Sequence, residues 1–149
     1  MKKTRFSVLV FVIGFLFVSA SFAQQRVTRT NSGAPGPGNL YDPATVARVK
    51  GEVLSVEEFT PTPGMPPGVE FILKTDGAEV VRVFVGPKWY LANEDFEIKP
   101  KDMLEVKGSK ITYEGKPAMV ASVVLLDDEV VKLRDDNGAP VWSAWAPRQ

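Results

Sequence analysis

The chain has 149 residues, with 18 basic and 18 acidic side chains and neither cysteine nor histidine. That composition excludes disulfide staples, a C-x-x-C-H haem attachment motif, and any Ser-His-Asp or Cys-His centre. The length suits one domain with a core of its own.

"MKKTRF" places Lys2, Lys3 and Arg5 ahead of an apolar run from Val8 to Val18, and the small residues of "SASFA" follow. This is the three-part pattern of a secretory signal peptide. Ser21 and Ala23 fit the two positions that the signal peptidase reads, so cleavage is expected after Ala23, giving a signal peptide over 1–23. The apolar run is shorter than the roughly 18–20 residues of a spanning helix, and no basic cluster follows it directly. No stable membrane span is therefore expected after cleavage, and the expected location is periplasmic or secreted. The signal carries three of the 18 basic residues and none of the 18 acidic ones, which leaves a mature charge of −3. That balance gives no electrostatic drive toward nucleic-acid phosphates.

Residues 24–43 are polar and rich in Gly and Pro, without periodicity, and read as a flexible linker. The domain is expected over 44–142. Its first strand, "TVARVKGEVLSVEEF", changes apolar parity around Gly51–Leu54, where an interior glycine marks a bulge or bend. "TPTPGMPPG", Thr60 to Gly68, is too proline-rich to pair in a sheet. "VEFILKT" and "VVRVFVG" alternate on either side of Asp76-Gly77 and predict a hairpin. Pro87 then predicts a short helix from Lys88 to about Asp95. Its spacing puts Trp89, Ala92 and Phe96 on one inward face and leaves Tyr90 more exposed. A fourth strand is predicted over Met103–Tyr113, with a parity shift near Gly108, and a fifth over Ala118–Leu126. A short strand from Val130 to Arg134 and a turn at Asn137-Gly138 predict a C-terminal hairpin reaching Trp142. Residues 143–149 form a tail.

The predicted fold is mainly all-β. Five strands with one helical connection between the third and fourth follow the order of an OB-like Greek-key barrel. An open β-sandwich is the competing arrangement.

"ARVKGEVLSVEEF", "GVEFILKTDGAEVVRVFVGPKWYL", "FEIKPKDMLEVKGSKITYEGKPAMVASVV" and "LRDDNGAPVW" together resemble a family of small exported bacterial proteins of OB-like build. Its best-known member is the domain shared by the magnetosome proteins MamS and MamX. The resemblance runs from about Val46 to Trp142, and its most specific parts are G-P-x-W-Y-L and L-R-D-x-x-G-x-P-x-W. It carries no catalytic residues over. Haem binding does not transfer, because the C-x-x-C-H motif is missing, and a role in magnetite formation is not implied.

The candidate interaction surface comprises Met65 in the proline-rich loop, Phe84 beside Arg82, Tyr90 on the helix, and Trp142 and Trp145 near the C-terminus. Interspersed charges on the strands (Lys50, Lys74, Arg82, Lys107 and Lys110 with Glu52, Glu70 and Glu105) read as a solvated sheet face. "LLDDE" and "RDDNG" offer oxygen ligands without the spacing of a calcium loop, and the second reads as a tight turn. Glu57-Glu58, adjacent in a strand, point to opposite faces and mark no carboxylate pair. No catalytic, cofactor or metal site is expected. The function expected is a non-enzymatic accessory module that contacts another exported or membrane protein. The alternative is a domain for oligosaccharide or single-stranded nucleic acid, using Phe84, Tyr113 and Arg82.

Overall fold

Alternation of apolar and charged residues generates six strands in the computed structural model, which describes residues 36–142, 144 and 145. They are β1 (Val46–Phe59), β2 (Gly68–Thr75), β3 (Val80–Pro87), β4 (Met103–Tyr113), β5 (Lys116–Leu126) and β6 (Glu129–Lys132), with one helix, α1 (Lys88–Asn93), between β3 and β4. The expected signal peptide, its cleavage site, the first part of the expected linker and residues 146–149 lie outside the described residues.

The sheet runs β3-β2-β1-β4-β5-β6 and closes on itself through β3 and β5. That closing pair is parallel, from Arg82↔Ala118 to Phe84↔Val120. Closure of five strands decides for the OB-like barrel and against the open sandwich. β1 serves both halves. Its N-terminal part pairs with β4 from Val46↔Ser109 to Glu52↔Met103. Its C-terminal part pairs with β2 from Gly51↔Thr75 to Phe59↔Gly68. The register slips between Val53 and Ser55 on β1, and between Lys107 and Gly108 on β4. These are the two places where the sequence changes apolar parity, and bulges, at Leu54 on β1 and at Ser122 on β5 opposite Lys107–Gly108, supply the bend that a small barrel needs.

The inward set includes Val53, Phe71, Leu73, Val83, Val106 and Val124, all without exposure. One end of the barrel is plugged from α1. The helix starts directly after Pro87 and stops after six residues. Asp95 takes a left-handed φ of 52°, and the Phe96 amide donates to the Leu91 carbonyl at 3.0 Å. That early stop turns the chain inward, so the plug is Leu91, Phe96 and Ile98, each buried. The expected face of Trp89, Ala92 and Phe96 is corrected accordingly: Trp89 is half-buried and Ala92 exposed.

Both ends of the domain reach further than the sequence suggests. The expected linker is packed from Gly36 onward, through a 3-10 turn over Gly36–Leu40. Tyr41 is buried, and the Asp42 amide donates to the Ser109 hydroxyl at 2.9 Å. At the other end, the segment after β6 makes a single bridge, Arg134↔Pro140, in place of a ladder. The turn within it is held by Asp135, whose Oδ1 accepts from the amides of Asn137 and Ala139, both at 2.9 Å. Gly138 supplies the positive φ of 87°.

Candidate functional site

Four of the five residues singled out from the sequence, Phe84, Tyr90, Trp142 and Trp145, fall into one run of rings along the barrel. Tyr113 meets Phe84 edge-on at 4.9 Å between centroids, and Phe84 meets Phe59 at 5.3 Å. Phe59 leads to Trp145 at 5.8 Å, Trp145 to Trp142 at 6.2 Å, and Trp142 to Tyr90 at 5.4 Å. Trp89 ends the run, 6.0 Å from Tyr90. These separations lie within the range of productive ring contacts.

The run exists because the C-terminal segment lies across the start of β2 and the end of β3. Gly68 and Gly86 leave flat backbone there. A Cβ on Gly86 would stand 2.7 Å from the Trp142 ring, and one on Gly68 would stand 2.6 Å from the Trp145 ring. The indole of Trp145 donates to the Pro66 carbonyl at 2.7 Å, and the indole of Trp89 donates to the Trp145 carbonyl. Trp142 is also faced by the Arg134 guanidinium, 5.4 Å from its ring, on the side where Tyr41 lies 5.8 Å away. Arg134 is 2% exposed, and burial lowers its pKa to about 10. Its Nη1 donates to the Gly138 carbonyl at 3.0 Å, which closes the turn, and its amide donates to the Ser122 carbonyl of β5 at 3.1 Å, which ties the turn to the barrel.

Three of the five candidate side chains are therefore less accessible than the sequence suggests. Trp142 and Trp145 are each 5% exposed and Phe84 is 3% exposed. Trp145 is buried because its ring has a glycine to lie on and its N–H has a carbonyl to reach. Phe84 does share a face with Arg82, but Arg82 covers it: the guanidinium sits 4.8 Å over Phe84 and 5.3 Å from Tyr113. Arg82 is held there by Glu70, through Nε to Oε2 at 3.0 Å and Nη2 to Oε1 at 2.9 Å. Glu70 is 5% exposed, so the expected solvated face contains a buried, bidentate ion pair. The other end of the charge pattern behaves as expected: Glu105 pairs with Arg48 at 2.9 Å and Lys50 at 3.4 Å. Hydrogen bonding from Arg48 lowers the Glu105 pKa. Met65 and Tyr90 remain half-buried at the rim. The Tyr90 hydroxyl donates to the Lys132 carbonyl at 3.0 Å, and burial, followed by Glu94, raises its pKa.

A second surface was not singled out from the sequence. A groove of about 550 Å³ lies between the C-terminal half of β1 and the chain running from α1 toward β4. Its floor is apolar, from Val56, Val69, Leu91, Phe96 and Ile98. Glu57, Glu58, Asp95 and Glu97 stand around it with one base, Lys88, which pairs with Glu58. The sequence signal was the length of β1: fourteen residues, of which β4 matches only the first half. The described residues contain no cluster of three or more Asp or Glu side chains placed to hold a metal ion. None of their helices is long and apolar enough to cross a membrane.

The pattern of the MamS/MamX magnetosome protein family matches residues 45–131, and the chain belongs to that family. No curated protein matches it. Among solved structures it is similar to the SSB domain of a Synechococcus sp. protein, at 12% identity and a TM-score of 0.45, over 54% of this chain and 92% of that one. It is also similar to the mitochondrial single-stranded DNA binding protein Rim1 from S. cerevisiae, at 11% identity and a TM-score of 0.42, over 58% and 93%. A third is the second OB-fold domain of replication protein A from Methanococcus maripaludis, at 19% identity and a TM-score of 0.40, over 58% and 87%.

Proposed function

We propose that this member of the MamS/MamX magnetosome protein family is a non-enzymatic accessory module, exported to the periplasm or beyond, that contacts another exported protein. One observation carries the reading. The rings that an OB-like face would offer to bases or sugars are already engaged within the chain: Phe84 lies under Arg82, and Trp142 and Trp145 lie on Gly86 and Gly68, each of the three at most 5% exposed. Arg82, the cation of the alternative oligosaccharide or nucleic-acid reading, is spent on Glu70. The side chains left at the rim of the ring run, Met65 and Tyr90, suit contact with a folded partner, since apolar and aromatic rim residues serve as interface anchors. The basic start, apolar run and small residues of 1–23 support export, and the mature charge of −3 speaks against nucleic acid.

Photo-crosslinkers placed at positions 65 and 90 test this in exporting cells. The expected outcome is one defined exported protein captured from both positions, and a mature chain beginning at Gln24 by mass spectrometry. Tryptophan fluorescence that responds to oligosaccharides or oligonucleotides, with no crosslinked protein, would overturn the reading in favour of the ligand-binding alternative.

A further inference from the structure

The groove beside β1 has a feature that neither the rings nor the loops share: one of its walls is an unpaired strand edge. β1 is flanked by β4 only as far as Glu52. At Val53 the chain approaching β4 still touches it, through the Val53 amide to the Asp102 carbonyl at 2.9 Å and the Lys101 amide to the Val53 carbonyl at 2.7 Å. Leu54 is the bulge residue, and from Ser55 to Phe59 the backbone pairs with β2 on one side. On the other side it has no backbone partner among the described residues. In an extended strand, alternate residues point both their N–H and C=O to a given side, so a row of donors and acceptors faces the groove.

Three elements therefore coincide: an open strand edge, an apolar floor and a rim of four carboxylates, of which Glu58 pairs with Lys88 and Glu97 with Lys99 while Glu57 and Asp95 carry no ion pair among the described residues. We infer that the groove accepts an extended, basic segment of a partner protein as an added strand beside Leu54–Phe59. Main-chain hydrogen bonds would supply the affinity, and side chains of alternate residues the specificity. Apolar side chains of the segment descend onto Val56, Leu91 and Phe96, and the intervening Lys or Arg side chains meet Glu57 and Asp95. A second copy of β1 fits badly, because it would bring Glu57 and Glu58 against their own kind. The inference rests on the protein-partner reading above and names the chemistry of that partner.

The experiment titrates the full mature chain with an extended peptide alternating valine and lysine, and follows amide exchange and chemical shifts by NMR. Binding should slow exchange at alternate amides of Leu54–Phe59. A peptide alternating valine and glutamate should not bind. The valine–lysine peptide with N-methylated backbone should lose at least about tenfold in affinity, because it keeps charge but not donors. Glu57→Lys and Asp95→Lys change exposed carboxylates that carry no ion pair among the described residues, so the fold should be retained. Together they should also weaken binding at least about tenfold.

Equal binding of the N-methylated peptide, or indifference to the Glu57→Lys and Asp95→Lys pair, would overturn strand addition. Protection at Leu54–Phe59 in the free chain that disappears with Arg26→Glu and Arg29→Glu would identify the chain's own N-terminal segment as the occupant. Protection that rises with protein concentration alone would identify a second copy. Either result overturns the inference. A crosslinked partner at positions 65 and 90 with no peptide response at β1 would remove the groove and leave the accessory-module reading standing.

Discussion

Two sides of one small barrel use β1 in opposite ways. On the outer side of β2 and β3, every conspicuous ring is engaged: Trp142 on Gly86, Trp145 on Gly68, and Phe84 under Arg82. Beside the free edge of β1, no conspicuous residue occurs, yet apolar floor, charge and unpaired backbone lie open together. The side that reads as a binding site from composition is an extension of the core, with Trp142 and Trp145 in the same buried cluster as Phe71 and Leu73. The side that reads as plain alternation is the one with unused bonding capacity. Large aromatic side chains bury the most area, so they mark where a small domain recovers stability before they mark where it binds.

The sharpest way to break this contrast is to remove the ring that seals the outer face. Trp142→Ala should cost about 3 kcal/mol in denaturant unfolding, as for a large buried ring truncated to alanine. A loss within about 0.5 kcal/mol, the usual scatter of surface substitutions, would return Trp142 to the binding surface. Next, Glu70→Ala should cost about 2 kcal/mol. That is below the loss for a fully buried ion pair, because Arg82 keeps a third of its side chain exposed and retains Glu114 at 3.4 Å. Unchanged stability would mean that the pair is an ordinary exposed contact.

On the open side, Glu57→Lys should change stability by no more than about 0.5 kcal/mol. A larger loss in thermal unfolding would mean that the rim carboxylate has a structural partner and that the groove is not free. The smallest effect concerns the exposed charges shared by β1 and β4. The pKa of Glu105 is lowered in the folded chain, so its contribution is present above the ordinary carboxylate range and is lost as pH falls through the lowered value. Arg48→Ala should move the carboxylate's NMR titration upward; an unmoved midpoint would remove the Arg48 hydrogen bond as the cause.

Much of the architecture could be read from the residues. Parity shifts at Gly51–Leu54 and Gly108 marked the register slips, and Asp76-Gly77 marked the hairpin, because period-two burial and turn chemistry are local properties. A helical wheel puts Trp89 on the plug and leaves Leu91 off it, because it assumes a helix that continues. The left-handed turn at Asp95 depends on the space at the barrel end. Trp145 read as surface because nothing in the sequence pairs it with Gly68, 77 positions earlier. The groove was invisible for a related reason. An unpaired edge is an absence of partner, produced by the difference in reach between β1 and β4, and no side chain announces it.

Backbone amide exchange of Leu54–Phe59 with and without the valine–lysine peptide tests the central contrast most directly. New protection is expected at alternate amides of that stretch, with the tryptophan indole signals and the amides of Arg82–Phe84 unchanged. Protection appearing at Arg82–Phe84, or shifted indole signals of Trp142 and Trp145 with Leu54–Phe59 untouched, would place the binding face on the rings and contradict it.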